Sequence, residues 1–402
     1  MSNLVALNFK ALNTVTINTA RLNHLLKLFR LSKDDILSHV NKGIKKKYVE
    51  DDIFNQQVKV SVLKKVDSIF NKGINYYLDP KMLKESKEES IFFRKDKFNA
   101  ELSLGAKQIV NYFEQEKISI SALSKLSNLT IERVLPFYSI RNSAKKAASE
   151  IRKILYTEFH KDRKEFLKSL IAKLAENNIL VFEFVETWNK KERANISGFY
   201  LSPNVIVLRR NQKSLRREIF TLVHELGHYL LNEEEIDPKT VEDFSNYDSS
   251  SAIERWCNDF AYYFLAGDYD SQIANLDQAT ARNNFHRALL EEVSGNTNLS
   301  TLAIYTRFLL DNKISQSGYN KVRQDILESI ERRKEEERHK WEREKQKAEQ
   351  EGRKLKGSSP KPILSPLYVR TVQSAFFEGI INEVEFCRRL NIKANKIESY
   401  LQ

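Results

Sequence analysis

The sequence predicts a predominantly helical α+β protein with one small, mostly antiparallel sheet. Only 11 Gly and 7 Pro occur in 402 residues, which leaves little turn chemistry and favours long helices. Apolar residues recur at helical spacing along most of the chain, whereas β-rich runs are confined to residues 179–208. At this length two or three domains are expected, and a hydrophobic content of 41% is enough to form their cores.

Residues 1–100 are expected to form several short helices. Apolar residues recur at helical spacing over 20–29 and 58–70, and Ser32 opens another helix with a capping-box pattern. This region carries 19 Lys and Arg against 11 Asp and Glu, with a run of lysines at 45–47. The pattern fits a helix-turn-helix that binds DNA and fits a plain helical adaptor equally well, so both interpretations stay open.

Residues 101–160 are expected to form a helical connector. Within it, residues 119–134 have the more suggestive helix-turn-helix pattern, two short helices around a polar turn, although such patterns are also common in ordinary helical bundles.

The next segment, 161–321, contains the only predicted sheet and the most informative helices. Three β-rich runs, at 179–185, 196–201 and 205–208, are separated by polar residues. A strong amphipathic helix is expected at about 214–232, followed by an acidic loop to 248, a helix at about 252–266 and further helices to about 321.

The C-terminal part is expected to contain two different helical regions. Residues 322–357 are rich in Glu, Lys, Arg and Gln with almost no apolar stripe, which predicts a charged, solvated helical spacer. Residues 358–402 form a last small helical unit after a break rich in Pro, Ser and Gly.

Charge and cysteine content restrict the compartment and the partners. The net charge of +12 suits a polyanionic partner such as nucleic acid. Cys257 and Cys387 are the only cysteines, which excludes a disulfide framework and a four-thiolate metal site. Neither a signal-peptide pattern near the N-terminus nor an apolar run of membrane-spanning length occurs, so we expect a soluble, cytoplasmic protein with no membrane partner.

The segment from Thr221 to Leu231 carries the chemistry. On a helix, positions four apart lie one above the other, so His224 and His228 present two imidazoles to one point. Glu225 lies too far around the helix to be an easy third ligand, but it can reach a water on the metal as a general base. The pattern therefore predicts a Zn²⁺ site with a catalytic carboxylate beside it.

A catalytic zinc needs a third protein ligand, and two acids compete for that role. Glu234 follows the second histidine at a spacing that works only with a glycine turn, and Leu231 occupies the position where that glycine is needed. Glu254, on the next predicted helix, closes a His₂Glu site without distorting the first helix. Its competing role is to complete a capping box with Ser251. Asn258, one turn further along, is expected to orient a ligand.

In the predicted mechanism, zinc polarises the scissile carbonyl while Glu225 takes the proton of the attacking water and delivers it to the leaving amine. The strand at 205–208 is expected to bind the substrate backbone as an added strand. Tyr262, Tyr263 and His286 are weak candidates for the group that stabilises the oxyanion.

These motifs resemble the ImmA/IrrE metallo-endopeptidases. The resemblance rests on His224-Glu-Leu-Gly-His228 and on the run from Glu254 to Ala261, and it covers about residues 165–315. It implies a zincin-like core, zinc on His224, His228 and Glu254, and Glu225 as the base. Cys257 departs from the usual alanine of this family, and Gly267-Asp268 stands where a proline is common.

The resemblance also implies a biological role. Members of this family typically cleave a helix-turn-helix repressor of the XRE type, which relieves repression in a mobile-element, stress or phage-defence setting, and bacterial origin fits this pattern. Two alternatives remain open: a non-catalytic DNA-binding or antitoxin-like regulator with a structural zinc site, and a proteolytic toxin or defence effector. An intact Glu225 favours an enzyme, because a structural site needs no base.

Overall fold

The computed structural model describes residues 14–29, 31–81, 102–185, 193–210, 212, 214–235, 251–353 and 360–401. The chain divides into two compact units. The first comprises residues 1–118 and 191–195, and the second comprises 119–190 and 196–402. No helix in the described ranges has the length and apolar character that a membrane crossing requires.

The first unit is built from short helices around one apolar core. Strands β1 (Thr14–Thr16) and β2 (Gln57–Lys59) pair in an antiparallel ladder. Up to residue 81, the described residues also form the helices α1 (Thr19–Phe29), α2 (Lys33–Asn41), α3 (Asp51–Phe54), α4 (Val60–Phe70) and α5 (Ile74–Leu78). Phe29 and Phe70 meet edge to face in the core, with ring centroids 5.0 Å apart.

The helices at 19–29, 33–41 and 60–70 were predicted from the sequence, but the two-stranded sheet was not. Ser32 caps α2 in a complete capping box with Asp35, as its pattern predicts. The helix predicted from residue 58 begins instead at Val60, because the residues before it pair with β1 as a strand. Two three-residue strands carry too little periodicity to be found in a sequence.

Helix α6 (Leu104–Leu126) is followed by extended chain, not by a second short helix. The helix-turn-helix predicted at 119–134 is therefore wrong, and the predicted connector at 101–160 is only partly helical. Arg133 explains the extended course, since its guanidinium donates a 2.8 Å hydrogen bond to the carbonyl of Tyr229, and the Tyr138 amide donates to the carbonyl of Leu230. Helical backbone is regained only at α7 (Ala144–Leu155).

The second unit contains a three-stranded sheet of mixed direction. Its strands are β3 (Leu180–Val185), β4 (Gly198–Leu201) and β5 (Val205–Arg210), arranged in the order β3-β5-β4. The β4–β5 pair is antiparallel as predicted, but β3 and β5 run parallel. Strand β5, whose first four residues are all apolar and buried, takes the centre, so a sequential antiparallel arrangement is replaced by a crossover.

Helices make up most of the rest of this unit in the described residues. In chain order they are α7, α8 (Arg163–Glu176), α9 (Leu215–Leu231), α10 (Ala252–Ala266), α11 (Tyr269–Ala274), α12 (Arg287–Asn296), α13 (Thr301–Leu310), α14 (Gln316–Gln350), α15 (Pro366–Phe377) and α16 (Glu383–Leu390), with 3₁₀ turns at Ala281–His286, Ala394–Lys396 and Glu398–Tyr400. Helix α9 packs on β4 and β5 and against α10, which in turn packs against α7. The predominantly helical α+β prediction is confirmed.

The charged spacer is helical, as predicted, but it begins earlier. Helix α14 starts at Gln316, and Tyr319, Val322 and Ile326 belong to the apolar core of this unit. Beyond that first part the helix is almost entirely exposed. The C-terminal helices belong to the second unit and pack against its other elements. Tyr368 contacts Phe182 there, with ring centroids 5.6 Å apart.

Candidate metal centre

Helix α9 is a buried helix with a defined start and end. Ser214 caps its first turn by accepting a hydrogen bond from the Arg217 amide at 3.3 Å. Asn232 ends the helix in the left-handed conformation, with φ of 54°. The Glu233 amide then donates back to the carbonyl of His228. The end of α9 is therefore fixed within one turn of His228.

A glycine lets α9 and α10 approach closely. A methyl group on Gly227 would lie 3.1 Å from the backbone and side-chain atoms of Cys257, closer than carbon atoms normally pack. The absence of a side chain at this position allows the two helices to meet at the level of the histidines. Glu254, one turn before Cys257 on α10, then reaches the two rings.

Three potential ligand atoms converge between the two helices. The Nε2 atoms of His224 and His228 lie 3.2 Å apart. Glu254 places Oε2 3.2 Å from the Nε2 of His224 and Oε1 3.2 Å from the Nε2 of His228. All three side chains are buried and form the one cluster of possible metal ligands in the described part of the chain.

These three side chains fit a zinc ion. Donor atoms about 2.0–2.1 Å from a tetrahedral zinc lie about 3.3–3.4 Å from one another, close to the separations observed here. Oε1 of Glu254 is buried without a hydrogen bond despite its short distance to His228, as expected for donors that point at a common centre. Two imidazoles and one carboxylate are also the donor set of many catalytic zinc sites.

A backbone carbonyl fixes the orientation of His228. Its Nδ1–H donates a 3.2 Å hydrogen bond to the carbonyl of Glu233, so Nε2 is the nitrogen that faces the cluster. A main-chain acceptor has no sequence signature, and this partner was not predicted. Burial opposes a charge on His228, but the Cys257 and Glu254 side chains raise its pKa well above the ordinary value.

Glu254 is held as an anion by the same contacts. Burial alone would raise the pKa of this carboxyl, yet the adjacent imidazoles of His224 and His228 hold its pKa well below the usual range. Its backbone amide donates to Ser251 Oγ at 3.1 Å, while its side chain turns toward the histidines. The competing capping-box role is thus only half realised, and the carboxylate stays in the cluster.

Glu234, the discounted acid, is engaged elsewhere. Its Oε1 accepts a 2.8 Å hydrogen bond from the Ser202 amide, just beyond β4. It is absent from the ligand cluster.

Glu225 is buried between α9 and the sheet. A methyl group on Gly198 of β4 would lie 3.1 Å from Glu225 Cγ and 2.8 Å from Thr221 Cγ2. The backbone of β4 therefore lies directly against the Glu225 side chain and limits where its carboxylate can go. Sequence reasoning identified Glu225 but not the role of Gly198, which depends on a contact between segments.

Asn258 makes no hydrogen bond to His224, His228 or Glu254 among the described residues. Its Oδ1 is buried without a hydrogen-bond partner and lines a small cavity with Tyr262. The orienting role predicted for Asn258 thus has no contact to support it.

None of the three candidates for oxyanion stabilisation belongs to the ligand cluster. Tyr263 accepts a hydrogen bond from Arg307, and His286 contacts Asn283 and the carbonyl of Asp277. Tyr262 lies two helical turns from Glu254, about 12 Å along the axis. The strand predicted to bind substrate is also excluded, because β5 is paired along both edges.

Comparison with known proteins identifies one part of the chain. The family model of the IrrE N-terminal-like domain, peptidase family M78, matches residues 176–268. This match spans the three-stranded sheet, α9 and α10, and so contains the complete cluster. No curated protein and no solved structure matches the chain.

Proposed function

Residues 176–268 form an ImmA/IrrE-type metallopeptidase domain, and from this premise we propose that the protein is a zinc-dependent endopeptidase. The observation that carries the proposal is the convergence of His224, His228 and Glu254 on one buried point, with Glu225 next to it. Zinc is proposed because donor chemistry and donor separations both suit it.

The composition of the cluster favours catalysis over a structural role. A structural zinc site is closed by four protein ligands, most often including cysteine. The only thiol nearby, Cys257, is outside the group of atoms that lie within mutual ligand distance. Three protein ligands leave a position for the reacting groups. A buried carboxylate beside them, at Glu225, is placed to serve in proton transfer.

Each residue of this site has a definite task in peptide hydrolysis. Bound zinc would supply a Lewis acid and increase the acidity of a water. The Glu225 carboxylate accepts the proton of the attacking water and transfers it to the nitrogen of the leaving amine. The backbone of β4 at Gly198 lies against the Glu225 side chain and limits its position. Glu233 keeps the imidazole of His228 aligned through its carbonyl.

We propose a helix-turn-helix repressor of the XRE type as the substrate. Support comes from the family resemblance of the domain and not from a pocket that recognises such a protein. Cleavage would relieve repression of the genes that the repressor controls. The basic balance of residues 1–100 supports an additional contact with the DNA on which a repressor sits.

The test is incubation of the full-length protein, loaded with zinc, with the XRE-type repressor encoded beside its gene. Intact-mass spectrometry should show two fragments whose masses add to the repressor plus one water. Glu225→Gln should give none, while retaining the zinc of the wild type. Equal fragment yields from both proteins would remove Glu225 from the mechanism, and an intact repressor with both would refute the proposed substrate.

A further inference from the structure

A small cavity between α9, α10 and α13 begins about one helical turn from the ligand residues of the candidate site. Phe220 lies one helical turn before His224, and Asn258 lies one turn after Glu254, so both are about 6 Å from the cluster along their helices. Because α9 and α10 pack together, these two residues face the same space. Ala303, Thr306, Arg307 and Leu310 of α13 close the far side.

Two residues that line this cavity carry buried polar atoms without a hydrogen-bond partner in the described structure. These atoms are Oδ1 of Asn258 and the hydroxyl of Tyr262, and the side chain of Tyr262 is only 5% exposed. A buried polar group without a partner costs roughly 1–3 kcal/mol. A ligand that both donates to Asn258 and bonds with Tyr262 would satisfy the two groups together.

Tyr262 stays neutral at physiological pH. Burial and the neighbouring Asp270 raise the pKa of its hydroxyl far above the ordinary value. The hydroxyl is thus available both as a donor and as an acceptor.

The positive charge of Arg307 at the cavity is already paired with two carboxylates. Arg307 lies 2.9 Å from Asp259 and 3.0 Å from Asp311, and it donates to the hydroxyl of Tyr263 at 2.6 Å. The Arg307 guanidinium therefore lines the cavity but does not offer a binding site for an anion. An acidic side chain would meet two nearby carboxylates and the Asn258 oxygen.

The size of the cavity restricts what can enter. It offers about 20 Å³ to the centre of a water molecule, against the roughly 10–15 Å³ that one water needs. This room suits the end of a short side chain and excludes aromatic or long basic groups.

We propose that this cavity is the subsite for the substrate side chain adjacent to the cleaved bond, and that Asn258 and Tyr262 select serine, threonine or asparagine there. The proposal rests on the proposed peptidase function. Asn258 and Tyr262 would then be specificity residues, with no direct role at the metal. The side chain of the bound substrate would replace a water that bridges the two unpartnered groups.

A peptide-library digest tests this assignment. The zinc-loaded full chain is incubated with a peptide mixture prepared from a bacterial proteome, and the residues flanking each cut are counted by mass spectrometry. Wild type should enrich serine, threonine and asparagine at one position beside the cut. Tyr262→Phe and Asn258→Leu should each lower that enrichment by about fivefold to tenfold, the effect of one lost hydrogen bond.

Matched controls separate the possible failures. Tyr305→Phe removes another buried tyrosine hydroxyl, one that bonds to the Phe285 carbonyl and does not line the cavity, and it should keep the wild-type preference. Melting temperatures verify that each variant is folded. Cleavage by wild type with the same preference in Tyr262→Phe and Asn258→Leu would overturn the subsite alone. Cut counts no higher than those of Glu225→Gln would overturn the peptidase function, and the subsite with it.

Discussion

Replacement of Gly198 by alanine should disable Glu225 without removing the metal. The added methyl would lie 2.8 Å from Thr221 Cγ2, 3.1 Å from Glu225 Cγ and 3.1 Å from the carbonyl oxygen of Val207. Carbon atoms pack at about 3.5 Å or more, so relief requires a displacement of about 0.7 Å. Neither side of the contact moves freely, because α9 is buried and β4 is paired with β5.

The expected loss follows from that displacement. A misplacement of about 1 Å in a catalytic group costs on the order of 100-fold in rate, so a decrease of about 10- to 100-fold in kcat/KM is expected. Overpacking should also destabilise the fold by about 1–3 kcal/mol. The zinc content should match that of the wild type, since the three atoms nearest to the added methyl belong to Thr221, Glu225 and Val207 and to none of the ligands.

The assay combines cleavage rate, zinc content and thermal unfolding on the same preparations. Gly295→Ala is the matched control, because a methyl there meets no atom within 4 Å. Thr221→Ser removes the closest methyl but keeps the hydroxyl, so adding it to Gly198→Ala should restore part of the activity. Full activity of Gly198→Ala, or loss of its zinc, would refute the positioning of Glu225 by β4.

Other parts of the chain give independent predictions. Arg210→Met should destabilise the protein by about 3–5 kcal/mol in urea unfolding, because two buried carboxylates 2.7 Å from the guanidinium lose their partner; a change below 1 kcal/mol would contradict this. At pH 8 iodoacetamide should label Cys387 well before Cys257, since burial raises the pKa of the Cys257 thiol to about 11, an effect that His228 partly opposes. Equal labelling rates in peptide mapping would contradict the burial. Alanine at lysines 45–47 should weaken DNA binding by the full chain at low salt, measured by gel shift, and no shift with the unaltered protein would exclude a DNA-binding role.

The ligand residues could be predicted from sequence because their signals are local. Helical spacing alone places His224 and His228 on one face, and capping residues at Ser214 and Ser251 mark the starts of both helices. The acid on the next helix followed from the donor requirement of zinc. The structure brings all three together.

The features that were missed depend on contacts between distant segments. Gly198 and Gly227 matter because another backbone lies against them, and Glu233 acts through its carbonyl. The parallel pairing of β3 with β5 is likewise set by which strand the core buries, and not by any single run of residues. Extended chain after α6 is held by the end of α9, a partner about a hundred residues away.

Functional predictions for the N-terminal region remain to be tested. The helices of the first unit are present, but their order does not decide between DNA binding and an adaptor role. The proposed boundaries at 100, 160, 321 and 357 also stay predictions, and the family match lies within the predicted peptidase segment of 161–321.

Zinc stoichiometry measured by elemental analysis on the full-length protein tests the central claim most directly. We predict about one zinc per chain in the wild type and in Glu225→Gln, and nearly none in His224→Ala, His228→Ala and Glu254→Ala. His39→Ala, a change at a half-buried histidine that contacts Ser68 and lies outside the cluster, should leave the content unchanged. Zinc retained in all three ligand variants, or none bound by the wild type after incubation with zinc and dialysis, would contradict the proposed centre.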